Sequence, residues 1–218
     1  VQALETELAG LSVGTIFSDT FQRSNGPLGN TEIPVGGKWF VPSWVTTPPA
    51  IVSYALQRAA GDTANCCFTA FAPLLLPRLA SRVSRLRFVL TPDLPASGTG
   101  EVNITYSGGS VRVSFANGSS SFTFGGGMGV PIATGGLVQD AANYVQVSCD
   151  AYTFECAYSV SASGYGQSPY ISGVAVVDPG MPITSSLLQV SLNDAYDGAN
   201  YPAHSSMGEI IIEQDCRW

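Results

Sequence analysis

Few side chains of this 218-residue chain are equipped for chemistry. Its one histidine, His204, lies in the loop-like run Tyr201-Pro202-Ala203-His204-Ser205-Ser206. A single imidazole excludes a multi-histidine metal site, and neither H-E-x-x-H nor the G-x-S-x-G nucleophile turn occurs. Hydrolysis of a glycosidic bond needs two carboxyl groups about 5 to 10 Å apart. Glu155, Glu209 and Glu213 lie in strand-like sequence, and Glu209 and Glu213 share one expected strand face, but no E-x-D-x-x-E brings carboxylates together. Gly125-Gly126-Gly127-Met128-Gly129 is followed by Pro131 and Gly135-Gly136 instead of a helix, so it reads as a loop and not as a phosphate cradle. These residue types point away from an enzyme.

They suit recognition better. Sugar binding by a β-sandwich uses exposed aromatic faces, with Asn and Asp hydrogen-bonding hydroxyls. Two segments offer that mixture: Tyr165 and Tyr170 in Tyr165-Gly166-Gln167-Ser168-Pro169-Tyr170, and Asn193, Asp194, Tyr196, Asp197, Asn200 and Tyr201 in the run from 193 to 201. Asn193, Asp194, Asp197 and Asn200 also offer oxygen ligands to calcium, without matching the D-x-[DN]-x-[DN]-G loop. Ordinary polar loops use the same residues, so no cofactor or metal is expected. The run from Pro77 to Arg87 holds four of nine basic residues, which reads either as an anion or glycan patch or as a turn and a strand with Arg85 and Arg87 on its outer face.

The cysteines are Cys66, Cys67, Cys149, Cys156 and Cys216, an odd number with no C-x-x-C. Cys149 and Cys156 have hairpin spacing, and alternation turns both toward one face. A disulfide and two small core thiols fit that placement equally.

Composition limits the elements that must position these groups. Charged residues are 11%, against about 25% in an ordinary soluble domain. Hydrophobic residues reach 45%, with 24 Gly and 14 Pro, which is a core-forming, turn-rich chain. The net charge of −7 argues against nucleic acid as a partner. No apolar run reaches the roughly 18 residues of a membrane span. The chain opens on Val1-Gln2-Ala3 without an initiator Met or a signal peptide, as expected of a processed product or a fragment.

Val1, Leu4, Leu8 and Leu11 fall at the a and d positions of a heptad, so residues 1–14 are expected to end a helical, oligomeric stalk. From residue 15 the period is two. Val102, Ile104 and Tyr106 alternate with polar neighbours, as do Val111, Val113 and Phe115. Tyr144 to Val160 reads as a hairpin; Leu188, Val190 and Leu192, then Ile210 to Ile212, mark the last strands. Turn clusters separate about a dozen such strands, the pattern of a β-sandwich or jelly roll, and no linker divides residues 15–218.

Residues 18–44 carry D-x-F-x-R-x-x-G-x-L-G followed by G-x-W, through Asp19, Phe21, Arg23, Gly26, Leu28, Gly29, Gly37 and Trp39. This resembles the opening of concanavalin A-like (laminin G-like) jelly-roll domains in bacteriophage virion proteins, above all minor tail proteins and tail fibres of phages infecting actinobacteria. Met207 to Glu213 resembles the closing strand of such domains. The resemblance implies an all-β jelly roll, a virion and extracellular location, other virion proteins upstream, and contact with the host surface or its glycans. It also implies a homotrimer, since phage fibres carry such domains on coiled-coil stems. A capsid decoration or fibre-joint domain is the structural alternative; a glycoside hydrolase or polysaccharide lyase is the enzymatic one.

Overall fold

Alternation at period two becomes antiparallel pairing throughout. The computed structural model describes residues 13–29, 32–35, 37–41, 43, 49–57, 66–71, 83–92, 99–106, 109–116, 119–124, 130–134, 137–138, 140–150, 153, 155–176, 188–195 and 206–215. Among these there is no helix, and seventeen strands form two sheets. The strands are β1 (Val13–Asp19), β2 (Gly26–Pro27), β3 (Glu32–Ile33), β4 (Gly37–Phe40), β5 (Ala50–Val52), β6 (Ala55–Gln57), β7 (Cys66–Phe71), β8 (Val83–Thr91) and β9 (Thr99–Tyr106). They continue with β10 (Gly109–Ala116), β11 (Ser119–Phe124), β12 (Val130–Thr134), β13 (Asn143–Asp150), β14 (Glu155–Ser161), β15 (Ile171–Val176), β16 (Leu188–Ala195) and β17 (Ser206–Asp215).

The larger sheet runs β15-β14-β13-β8-β17-β6-β5-β2, with β1 also on β17; the smaller runs β12-β11-β10-β9-β16-β7-β4-β3. Each sheet interleaves early and late strands, so the ends of the chain close the sandwich together. Residues 1–12, where the stalk and its seam are expected, lie outside the described residues. Strand β1 already begins at Val13, where Val13 and Gly14 pair with Asp215 and Gln214.

Cross-strand rows build the core, because residues two apart on a strand point the same way. One row of the larger sheet aligns Ile171, Val160, Val145, Phe88 and Ile210; the next aligns Tyr158, Val147, Leu86, Ile212 and Phe17. The smaller sheet answers with Val111 opposite Ile104 and Val113 opposite Val102, all buried. Fully burying side chains of this size stabilises by about 1.5 to 3 kcal/mol each.

The resemblance residues cluster at one end of this core. Asp19, with no exposed surface, accepts bidentate hydrogen bonds from Arg23 (Nη1 to Oδ1 2.7 Å, Nη2 to Oδ2 2.8 Å). It also accepts one from the Trp39 indole (2.5 Å) and one from the backbone N–H of Phe21 (2.8 Å). Phe17 meets the Trp39 ring edge-on and Phe21 stacks on it, with centroids 5.5 and 6.2 Å away. Phe21 takes a positive φ of 53°, which turns the chain out of β1 while the Asp19 carboxylate holds its N–H. The D-x-F-x-R…W spacing therefore encodes a buried polar knot wrapped in aromatic rings.

Candidate functional site

The outer face of the larger sheet gathers polar side chains from four strands and one loop. On β8, Leu86, Phe88 and Leu90 point inward, so Arg85 and Arg87 point outward. Register sets Arg85 beside Ser148 and Glu213, and Arg87 beside Gln146 and Ile211. The side chains then complete a lattice. Arg85 donates to Ser148 Oγ (3.1 Å) and to Glu213 Oε2 (3.3 Å). Arg87 donates through Nε to Gln146 Oε1 (3.0 Å), and its Nη2 lies 3.4 Å from Glu213 Oε2. Glu213 thus sits between two guanidiniums, with 13% of its side chain exposed.

A bulge aims the second carboxylate. Met207 is buried opposite Leu90, and Glu209 faces outward opposite Val89, with Gly208 as the extra residue between them. Strict alternation would put Met207 and Glu209 on one face; the inserted residue separates them. Glu209 Oε1 accepts a 2.7 Å hydrogen bond from Tyr165 Oη.

Tyr165 belongs to the loop from 162 to 170 between β14 and β15, which folds back across the sheet. Three of its residues take positive φ: Gly164 at 136°, Gly166 at 69° and Ser168 at 44°. Ser161 Oγ donates to the Gln167 carbonyl and accepts from Ser163 N–H. The Tyr165 ring meets Tyr144 edge-on at 5.4 Å, and the Arg87 guanidinium lies over it at 5.5 Å. Burial, then the hydrogen bond and the charge of Glu209, push the Tyr165 phenol well above the ordinary tyrosine range, so it stays a donor. Tyr170 keeps 41% of its surface exposed while its Oη donates to Asn143 Oδ1. Burial raises its phenol as well. Asn143 is itself buried and donates to the carbonyls of Leu90, Val138 and Ala141.

Two guanidiniums, two carboxylates, an amide and two phenol rings on one sheet face can hydrogen-bond paired hydroxyls and pack against C–H surfaces. The formal charges of Arg85, Arg87, Glu209 and Glu213 cancel. Among the described residues no three His, Cys, Asp or Glu side chains are placed to hold a metal ion. No helix among them is long and apolar enough to cross a membrane.

The sequence candidates separate in the structure. Tyr165 and Tyr170 share the loop over this face. Asn193 and Asp194 do not start a loop; the alternation of Leu188, Val190 and Leu192 carries β16 through them, opposite Glu101 and Gly100 of β9 in the other sheet. Tyr196, Asp197, Asn200 and Tyr201, and with them the calcium reading, lie outside the described residues. Of the other motif residues only Leu28 is fully buried: Gly26 pairs with Ile51 between β2 and β5, a Cβ on Gly29 would only touch Val41, and Gly37 opens β4, exposed, at a φ of 104°. Sequence reasoning set Arg85 with Arg87 and Glu209 with Glu213 on common strand faces, as register shows, but missed the convergence of the two pairs and the part of Tyr144, Gln146 and Ser148.

No family model matches the chain, and no curated protein matches it. Solved structures do match. The CBM2 module of the Lactobacillus casei BL23 phage J-1 evolved Dit aligns over 95% of this chain and 99% of its own, at 9% identity and a TM-score of 0.58. SCLam, a non-specific endo-beta-1,3(4)-glucanase from family GH16, aligns over 95% and 94% at 7% identity and 0.59. Peanut lectin aligns over 93% and 97% at 12% identity and 0.53. The chain has the concanavalin-like jelly-roll fold. Identities this low carry the jelly-roll architecture and leave the chemistry to this chain's own side chains.

Proposed function

We propose that this chain is a bacteriophage virion protein, of the tail-fibre or minor-tail kind, whose jelly roll binds a neutral glycan of the host surface. The outer-face lattice of Arg85, Arg87, Gln146, Glu213 and Glu209 beside Tyr165 and Tyr144 carries the reading. Its planar groups suit vicinal hydroxyls, its rings suit the C–H faces of a sugar, and its balanced charges favour a neutral ligand over an anionic one. The likeness to a phage Dit module, a glucanase and a lectin supports the same reading. The protein works outside the cell, attached to other virion proteins upstream and trimeric through residues 1–11, with neither nucleic acid nor membrane as a partner.

Binding is favoured over turnover by the separation of the two carboxylates. Four residues at about 3.3 Å each put their Cα atoms roughly 13 Å apart along β17. One is held by Tyr165 and the other by two arginines, with no shared partner.

The test is a glycan array of neutral and acidic oligosaccharides, followed by titration of the full chain with host envelope polysaccharide. Neutral glycans should bind, and Arg87→Ala should weaken them at least tenfold while the protein stays folded. Absence of binding in both experiments refutes the glycan reading and leaves the capsid-decoration or fibre-joint role. Reducing ends released from the polysaccharide, and lost in Glu213→Gln, would replace binding by hydrolysis.

A further inference from the structure

Cys149 and Cys156 stand directly opposite each other in the β13–β14 hairpin. Both face the core, with 7% and 1% of their surfaces exposed, and their Sγ atoms are 2.6 Å apart. Strand register has therefore placed two sulfurs within about half an ångström of the ~2.05 Å bond length. We propose that Cys149 and Cys156 form a cross-strand disulfide that fixes this hairpin behind the outer-face lattice.

The bond requires an electron acceptor, and a small-molecule disulfide such as oxidised glutathione supplies one. One cysteine thiolate attacks a sulfur of that reagent, forming a mixed disulfide and releasing one thiolate. The second cysteine thiolate then attacks the protein sulfur of the mixed disulfide and displaces the other half of the reagent. The protein loses two protons and two electrons, and the reagent leaves as two thiols. Burial in the finished fold keeps a reagent of that size from either sulfur, so the exchange takes place while the hairpin is still open. Once closed, the bond is shielded from reductants in the same way.

Register is what the disulfide protects. Ser148 and Gln146 face outward because Cys149 and Val147 face inward. A slip of one residue would turn the whole strand over, removing the partners of Arg85 and Arg87. A covalent rung at the loop end of the hairpin blocks that slip. The closed loop is short, so its effect on the unfolded chain is modest.

The wild-type chain tests this without any variant. It is refolded in glutathione buffer, unfolded again in guanidinium with iodoacetamide and no reductant, and then digested. The expected product is a Cys149–Cys156 linked peptide, two hydrogen masses lighter than the reduced pair. Dithiothreitol should break the link in guanidinium and leave it intact in native buffer. Reduced protein should melt roughly 5 °C lower than oxidised protein. Recovery of both cysteines as alkylated thiols, or of either one joined to Cys66, Cys67 or Cys216, overturns the proposal.

Discussion

At Asp19 one buried carboxylate serves an arginine, an indole and a backbone N–H together. Each donor was desolvated on the way in, so the carboxylate offsets a cost instead of adding a surplus. Asp19→Asn keeps the shape, removes the charge, and turns an amide NH2 toward groups that can only donate. The expected loss is about 3 kcal/mol, since removing one partner strands the others. Urea unfolding checks this, with the midpoint falling and the slope unchanged. A second residue-scale prediction follows from Tyr165 and Tyr170, both shifted upward by burial. Each phenol has the ordinary value of 10.0 when unfolded and a higher one when folded. Above pH 10 the unfolded chain therefore binds fewer protons than the folded one, and stability falls as pH rises. Below that pH neither group contributes a slope. Unfolding midpoints measured from pH 8 to 11 should stay flat and then drop, and Tyr165→Phe should make the drop shallower.

Elements decide which of these residues meet. Much of the fold was legible because its signals are local: the Tyr144 to Val160 hairpin alternates at period two, and Asp19, Phe21 and Arg23 lie within five residues. The face was not legible because its bonds span the chain. Arg85 meets Ser148 across 63 positions and Glu213 across 128, distances that only strand order and register set. Glu209 also depends on the Gly208 bulge, a single inserted residue that alternation cannot reveal. Deleting Gly208 would make Met207 and Glu209 neighbours, which strict alternation keeps on opposite faces, against Leu90 and Val89, so both side chains should hold their places. The expected cost is then small, about 1 kcal/mol, from the lost local bend of the bulge. Denaturation should show a midpoint near the parent's, and the Tyr165–Glu209 hydrogen bond should persist in that variant. The β14–β15 pair offers a second test. A Cβ on Gly173 would lie 2.2 Å from Tyr158 Oη and 2.6 Å from Cζ. Gly173→Ala should therefore cost about 1 to 3 kcal/mol by displacing that ring. In a Tyr158→Ala background most of the added cost should vanish, which a double-mutant cycle measures directly.

For the whole molecule, sparse charge means that few groups are available for the recognition proposed above. Only 11% of residues are charged, yet four of them meet on one outer face of the larger sheet. A neutral sugar held by such a patch gains little per site, because each hydroxyl exchanges water for a protein group of similar strength. If the chain binds glycans as proposed, useful adhesion depends on several copies acting together, which an oligomer would supply. The a and d spacing of Val1, Leu4, Leu8 and Leu11 is the expected seam, and one and a half heptads would need continuation or partners to persist as helix. If the seam operates in this chain, light scattering of the full 218 residues gives three times 22.7 kDa. Leu4→Asp with Leu8→Asp should bring that to one. The same variant should bind a monovalent oligosaccharide as well as the parent does, since neither Leu4 nor Leu8 belongs to the outer-face lattice of Arg85, Arg87, Gln146, Glu209 and Glu213. Its retention on a polysaccharide surface should fall by about 10² or more, the scale on which linked sites exceed single ones. A monomeric parent would leave adhesion to the single-site affinity, and equal retention by parent and variant would detach binding from assembly.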